Sequence, residues 1–134
     1  LIAVVPRGFD RASAAAIGQA FNHQLFVVGT DVHDGKWPNE NAFVTCNGDG
    51  VVFDCFKRAE DGNGFIVRLH NTKNEDASCV VRFNQMFGTL ASVETVDLLE
   101  RPEEGPAVKA AGSGAGHVLT IAAESIASFR FAFQ

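Results

Sequence analysis

Tyrosine is missing from this 134-residue chain, and tryptophan and methionine occur once each, as Trp37 and Met86. A flat sugar-stacking surface draws on several Trp and Tyr rings, so this composition counts against a free-standing carbohydrate-binding module. Basic residues are also few. Eleven Lys and Arg stand against sixteen Asp and Glu, a net charge of −5. That balance argues against nucleic acid or an anionic membrane surface as partner, since both reward clustered Lys and Arg. No apolar run approaches the roughly 20 residues that span a bilayer. The first ten residues, LIAVVPRGFD, lack the basic start and small-residue cleavage site of a signal peptide. Cysteine is limited to Cys46, Cys55 and Cys79, an odd number with no two-residue spacing. This is a poor disulfide framework and a poor zinc ribbon. The expectation is small buried thiols in a reducing cytoplasm.

What is present is an ordinary globular composition. Hydrophobic residues make up 46% of the chain and twelve are Phe, enough for a core in one domain, or in one domain with a remnant of another. The chain opens at Leu1, which reads as a fragment or a processed product. Val5 to Gly8 (VPRG) superficially resembles a protease-site scar, but LIAV ahead of it reads better as a natural strand.

Leu1 to Val5 is expected as a short strand. Asp10 is an N-cap for a helix over Arg11 to Phe21, with Ile17, Ala20 and Phe21 on one edge and Asn22 closing it in the left-handed conformation. Leu25 to Val28 (LFVV) is the next strand. Gly29 to Asn41 is polar, carries Gly29, Gly35 and Pro38, and has no sustained period, so it marks a linker. The boundary falls there, giving segments 1–38 and 39–134. Beyond it the pattern is β. Strands are expected at Ala42–Cys46, Val51–Arg58, Phe65–Asn71, around Cys79–Phe83, Ser92–Leu99, near Val108, His117–Ala122 and Ser128–Phe133. Phe65, Val67 and Leu69 share one face, as do Phe129, Phe131 and Phe133. Short strands at near-regular spacing with turn signals predict a mainly β fold, an antiparallel β-sandwich with one short N-terminal helix.

Several constellations invite a chemical reading. Asp61-Gly62 and Asn63-Gly64 in AEDGNG could be taken for a phosphate loop. Such a loop joins a strand to a helix and ends in Lys-Ser/Thr, whereas Phe65 opens a strand, so a hairpin is the better reading. Asp31, His33 and Asp34 could ligate a metal, but no second His-bearing motif lies nearby and a closed zinc site needs about four ligands. Glu60-Asp61, Glu75-Asp76 and Glu103-Glu104 suggest a glycosidase carboxylate pair. Neighbours within turns do not build a cleft with carboxyls about 5–5.5 Å apart, so solvated turn charges are expected. The three cysteines lie in apolar strand contexts with no His placed beside them, which leaves a nucleophilic triad unsupported. His23, His70 and His117 are expected on the surface or at strand ends. Trp37 reads as a cap over a core edge or an interdomain contact more than as a sugar platform.

Taken together, the runs IAVVPRGFDRASAAAIGQAFNHQL (Ile2–Leu25), AFVTCNGDGVVFDCFKRAEDGNGFIVRLHNTKNEDASCVVRF (Ala42–Phe83), VETVDLLERPEE (Val93–Glu104) and IASFRF (Ile126–Phe131) resemble glycoside hydrolase family 38 α-mannosidases. In that family a KRAEDG hairpin followed by IVRLHN lies in the C-terminal sandwich. The resemblance implies a large modular enzyme that removes α-linked mannose with retention, using an aspartate nucleophile and a zinc ion held in N-terminal domains. None of those motifs occurs here, and His33-Asp34 does not fall in a family zinc motif. No catalytic, cofactor-binding or metal-ligating residue is therefore assigned to this chain.

The resemblance implies that residues 1–38 are the tail of a preceding large β domain and residues 39–134 the C-terminal sandwich, a non-catalytic portion that braces the catalytic body. The implied partners are the upstream catalytic domains and, through them, a mannoside, with no nucleic acid and no membrane; homo-oligomerisation is left open. The expected compartment is the cytoplasm. Rival readings are a carbohydrate-binding module and an accessory subunit of a split glycosidase.

Overall fold

The fold was analysed in a computed structural model that describes residue 8 and residues 10–105, 109–110 and 116–134. The expected strands at Leu1–Val5 and near Val108 fall outside these residues. In chain order the elements are α1 (Arg11–Asn22), β1 (Val44–Asn47), β2 (Val51–Arg58), β3 (Phe65–Asn71), β4 (Ala77–Phe83), a short 3-10 turn at Gln85–Phe87, β5 (Leu90–Val96), β6 (Lys109–Ala110), β7 (His117–Ile121) and β8 (Ile126–Phe133). They form two four-stranded antiparallel sheets, ordered β1-β4-β7-β6 and β2-β3-β8-β5. The expected sandwich is what the chain adopts.

Alternation explains the core. Phe65 pairs with Phe131 and Val67 with Phe129 across β3 and β8, so the apolar face of each strand meets its neighbour's. Val67, Leu69, Cys79, Val81, Leu119, Ile121, Phe129 and Phe131 are buried between the sheets. Strand β2 carries an irregularity between Phe53 and Cys55. The extra residue, Asp54, lets Phe53 and Phe56 both pack on the core, although strict alternation would put them on opposite faces. One end of the core is aromatic. Phe83 lies 4.7 Å from Phe131, and Phe65 and Phe133 lie 5.0 Å from Phe87 and Phe83, between ring centroids. Most of these contacts are edge-on or tilted, as ring quadrupoles prefer.

A buried amide ties the other end. Asn71 is fully buried, and its Nδ2 lies 2.8 Å from the Glu75 carbonyl, 3.1 Å from that of Ile121 and 3.0 Å from that of Ala122. Its Oδ1 accepts from Lys73 N at 2.9 Å. The β3–β4 turn is thereby fastened to the β7–β8 connection, and no polar atom of Asn71 is buried unpaired.

The structure corrects several local expectations. Asp10 does cap α1, accepting from Ala12 N and Ser13 N, but the helix runs through Asn22 and ends at His23 with φ −106°. Asn22 is not left-handed; its Nδ2 donates to Gly18 O at 2.9 Å, one turn back. Leu25–Val28 is neither helix nor strand and joins no ladder, because the described sandwich offers it no partner strand. The strand expected at Ser92–Leu99 runs from Leu90 to Val96. Asp97 Oδ1 accepts from Leu99 N at 2.8 Å and Arg101 N at 2.9 Å, and this local competition turns the backbone out of the sheet.

The cysteines are only in part the buried thiols expected: Cys79 is buried, while Cys46 and Cys55 are half-buried. Cys46 pairs with Val81 across β1 and β4, which puts it diagonally beside Cys79. The neighbouring Cys79 thiol lowers the Cys46 pKa, while Cys46 and then burial push Cys79 up. A thiol reagent added to the folded protein should therefore modify Cys46 well before Cys79, which should react only on unfolding. Equal labelling of all three thiols without denaturant would refute this packing.

Candidate functional site

The densest polar constellation lies on the outer face of the β2-β3-β8-β5 sheet. It joins two stretches forty residues apart, the KRAEDG hairpin and the loop after β5. The hairpin loop closes with Ala59 N donating to Gly64 O at 3.0 Å and Gly62 N to Ala59 O at 2.9 Å. It is a longer loop than the two-residue turn that either glycine dipeptide would suggest. Gly62 and Gly64 both hold positive φ, at 79° and 90°. Asp61 Oδ1 accepts from Asn63 N at 2.8 Å, a turn the Asp side chain makes with its own backbone.

Glu100 enters this hairpin from the opposite loop. Its residue is only 6% exposed, and its backbone adopts φ 63°, uncommon for a non-glycine residue. Its Oε2 accepts from Glu60 N at 2.8 Å and its Oε1 lies 2.6 Å from Lys57 Nζ. Arg130, on β8, closes the ring. Its Nη2 donates to the Glu100 carbonyl at 2.7 Å and its Nη1 to Asp61 Oδ2 at 2.8 Å. Glu94 Oε1 approaches Arg130 Nε at 3.6 Å. Lys57 holds the Glu100 carboxyl below its ordinary pKa, aided by the Glu60 amide, and Glu100 in turn raises Lys57. The Asn63 amide and then Arg130 lower Asp61. Ala59 of the hairpin also joins Ile66 and Val96 in a small buried apolar cluster.

Most of the residues weighed as catalytic candidates stay apart, but Asp76, Glu103 and Glu104 line one groove. Asp31, His33 and Asp34 are exposed, and His33 Nδ1 meets only the Asp34 carbonyl, at 3.2 Å. Glu60 pairs with Lys57 at 3.1 Å, Glu75 lies 4.0 Å from Lys73, and Asp76 accepts from Ala123 N at 3.1 Å. Glu60 and Glu75 are engaged locally, whereas Asp76 reaches the β7–β8 connection. Glu103 and Glu104 are exposed, on a groove of about 400 Å³ that Leu98 and Ile126 also line. His23 ends α1, His70 is half-buried one residue from the end of β3, and His117 opens β7. His117 lies 5.9 Å from the Phe131 ring, and burial lowers its pKa. Trp37 is 57% exposed and covers no core edge among the described residues. No group of three or more His, Cys, Asp or Glu able to hold a metal occurs among the described residues. Sequence reading missed the roles of Glu100 and Arg130. Arg130 is an outward residue in an alternating FRF run, and nothing local shows that Glu100 folds inward.

What this arrangement does chemically is neutralise and immobilise: each charge meets a counter-charge or a backbone donor, and two loops become one rigid edge. The domain is an antiparallel β-sandwich whose polar residues fasten its own turns. The chain belongs to the glycosyl hydrolases family 38 C-terminal beta sandwich domain, whose family model matches residues 50–129. The matched span contains the hairpin, Glu100 and the first half of β8, and ends one residue before Arg130. It leaves out α1 and Leu25–Val28. No curated protein and no solved structure matches the chain. Among the described residues, no helix is long and apolar enough to cross a membrane.

Proposed function

We propose that this chain is the non-catalytic C-terminal portion of a zinc-dependent, retaining α-mannosidase of the cytoplasm, and that it braces the catalytic body. Residues 39–134 are the sandwich and residues 1–38 the tail of a preceding large β domain. The observation that carries this reading is the family match over the segment that supplies Lys57, Glu60 and Glu100. A clamp whose charges are paired with one another within the domain is suited to holding a shape. Zinc does not fit the donors at hand. Asp31, His33 and Asp34 lie on an exposed loop, and among the described residues no other His joins them to complete a set of the usual size. The metal is assigned to the upstream domains, which also supply the nucleophile and the mannoside pocket.

The test is mannoside turnover and metal content. The purified 134-residue chain should neither hydrolyse an aryl α-mannoside, with zinc added, nor retain stoichiometric zinc after dialysis. The longer protein carrying the upstream domains should do both. Turnover by the isolated chain that survives repurification and disappears in His33→Ala or Asp34→Ala would overturn the proposal.

A further inference from the structure

The most conspicuous unsatisfied surface lies ahead of the family-matched span. Leu25, Phe26, Val27 and Val28 are 84–95% exposed and belong to no sheet. Single exposed apolar residues are normal on any surface; four consecutive ones are not. Paired as a strand, the run would set Leu25 and Val27 on one side and Phe26 and Val28 on the other. Both faces are apolar. A strand with one face in water alternates apolar with polar, whereas a continuous apolar run belongs to a strand covered on both faces.

The preceding helix tells the same story. Helix α1 has no buried residue, and Ile17 and Phe21, one turn apart, remain 43% and 59% exposed. It touches the sandwich through polar tethers: Gln19 Nε2 donates to Phe53 O at 3.1 Å and Asp54 Oδ1 at 3.0 Å, and Arg11 pairs with Glu124. An amphipathic helix normally buries its apolar edge. Here two consecutive elements carry apolar surface that their own domain leaves open.

Two occupants are conceivable, and the pattern separates them. Pairing with the same segment of a second copy would supply one neighbouring strand and no covering layers. A strand apolar on both faces needs neighbours in a sheet and a layer above and below. The matched family domain is C-terminal, so the body of such an enzyme lies on the N-terminal side, where Leu25–Val28 enters. We infer that Leu25–Val28 is an interior strand of a β-sheet in the upstream part of the same polypeptide, and that Ile17 and Phe21 of α1 pack against that body. Residues 29–41, polar throughout apart from Val32 and Trp37, are then the tether between that sheet and the sandwich. This rests on the reading that an enzyme body precedes the sandwich, and it names the contact between them.

Amide hydrogen exchange, compared between the isolated chain and the intact gene product, tests it. Amides 25–28 should exchange at near-intrinsic rates in the isolated 134-residue chain. In the intact protein they should slow by at least about 100-fold, as for strands of a packed core. Free exchange in both would overturn the inference, as would a gene product with no β domain ahead of these residues. Protection in the isolated chain that grows with its concentration would assign the strand to self-association and overturn it equally. Mannoside turnover of the same intact sample keeps the two proposals separate. Protection without turnover retires the mannosidase reading and leaves the strand; turnover without protection retires the strand alone.

Discussion

Gly64→Val should destabilise the domain by about 4 kcal/mol, from backbone strain and overpacking acting together. Gly64 has φ 90°, where any side chain is strained, and a Cβ built there would sit 2.3 Å from the Phe131 carbonyl oxygen. That oxygen belongs to β8, a central strand whose Phe131 pairs with Phe65. The strand cannot retreat without disturbing its ladders to both neighbours. Gly62, two residues earlier, is the internal control. It has φ 79°, but a Cβ there would meet only the Arg58 side chain, at 3.5 Å. Gly62→Ala should therefore cost only about 1 kcal/mol, the left-handed penalty alone. Urea unfolding of the two variants checks the contrast. If Gly64→Val has the same midpoint as Gly62→Ala, the close approach of the hairpin to β8 is wrong.

Glu100→Ala has the second-largest expected effect, roughly 2 kcal/mol at neutral pH, because it strands the Glu60 amide and removes a charged hydrogen-bond partner. A full buried-pair penalty is not expected, since the Lys57 side chain is 38% exposed and recovers solvent when its partner goes. The loss should depend on pH in a defined sense. The Glu100 carboxyl is held below its ordinary pKa by Lys57 and the Glu60 amide. Its ionised form thus contributes stability that is present above the ordinary glutamate value, about 4.3, and is lost as pH falls through the folded value. The difference between wild type and Glu100→Ala should be flat near neutrality and shrink below about pH 4. Asp61 and Asp97 are also depressed, but both remain in the variant, so their contributions cancel in the difference. Unfolding measured at neutral pH and near pH 3 supplies the test. An unchanged difference would mean the Glu100 charge does not hold the hairpin.

How much was legible in advance divides along the range of the forces involved. Period-two alternation in Phe65–Asn71 and Ser128–Phe133, and the glycine dipeptides between Arg58 and Phe65, determined strands, inward faces and the hairpin. Each of these depends only on backbone sterics and on which side of a strand is apolar. The Asp10 cap is equally local, since its carboxylate reaches amides two and three residues on. The resemblance carried by KRAEDG and DLLERPEE identified the family over the span that its model matches.

Tertiary structure alone decided the rest. Glu100, Arg130 and Asn71 look like ordinary polar residues in turns and strands. They become fasteners only when chain folding brings Glu60, Asp61 and Ile121 within hydrogen-bonding distance across separations of 40, 69 and 50 residues. No local pattern encodes such separations. The bulge at Asp54 likewise appears only when β2 is laid against β3. Leu25–Val28 shows the converse: its apolar run predicted a strand, but a strand is made by hydrogen bonds to a neighbour, and the described sandwich provides none.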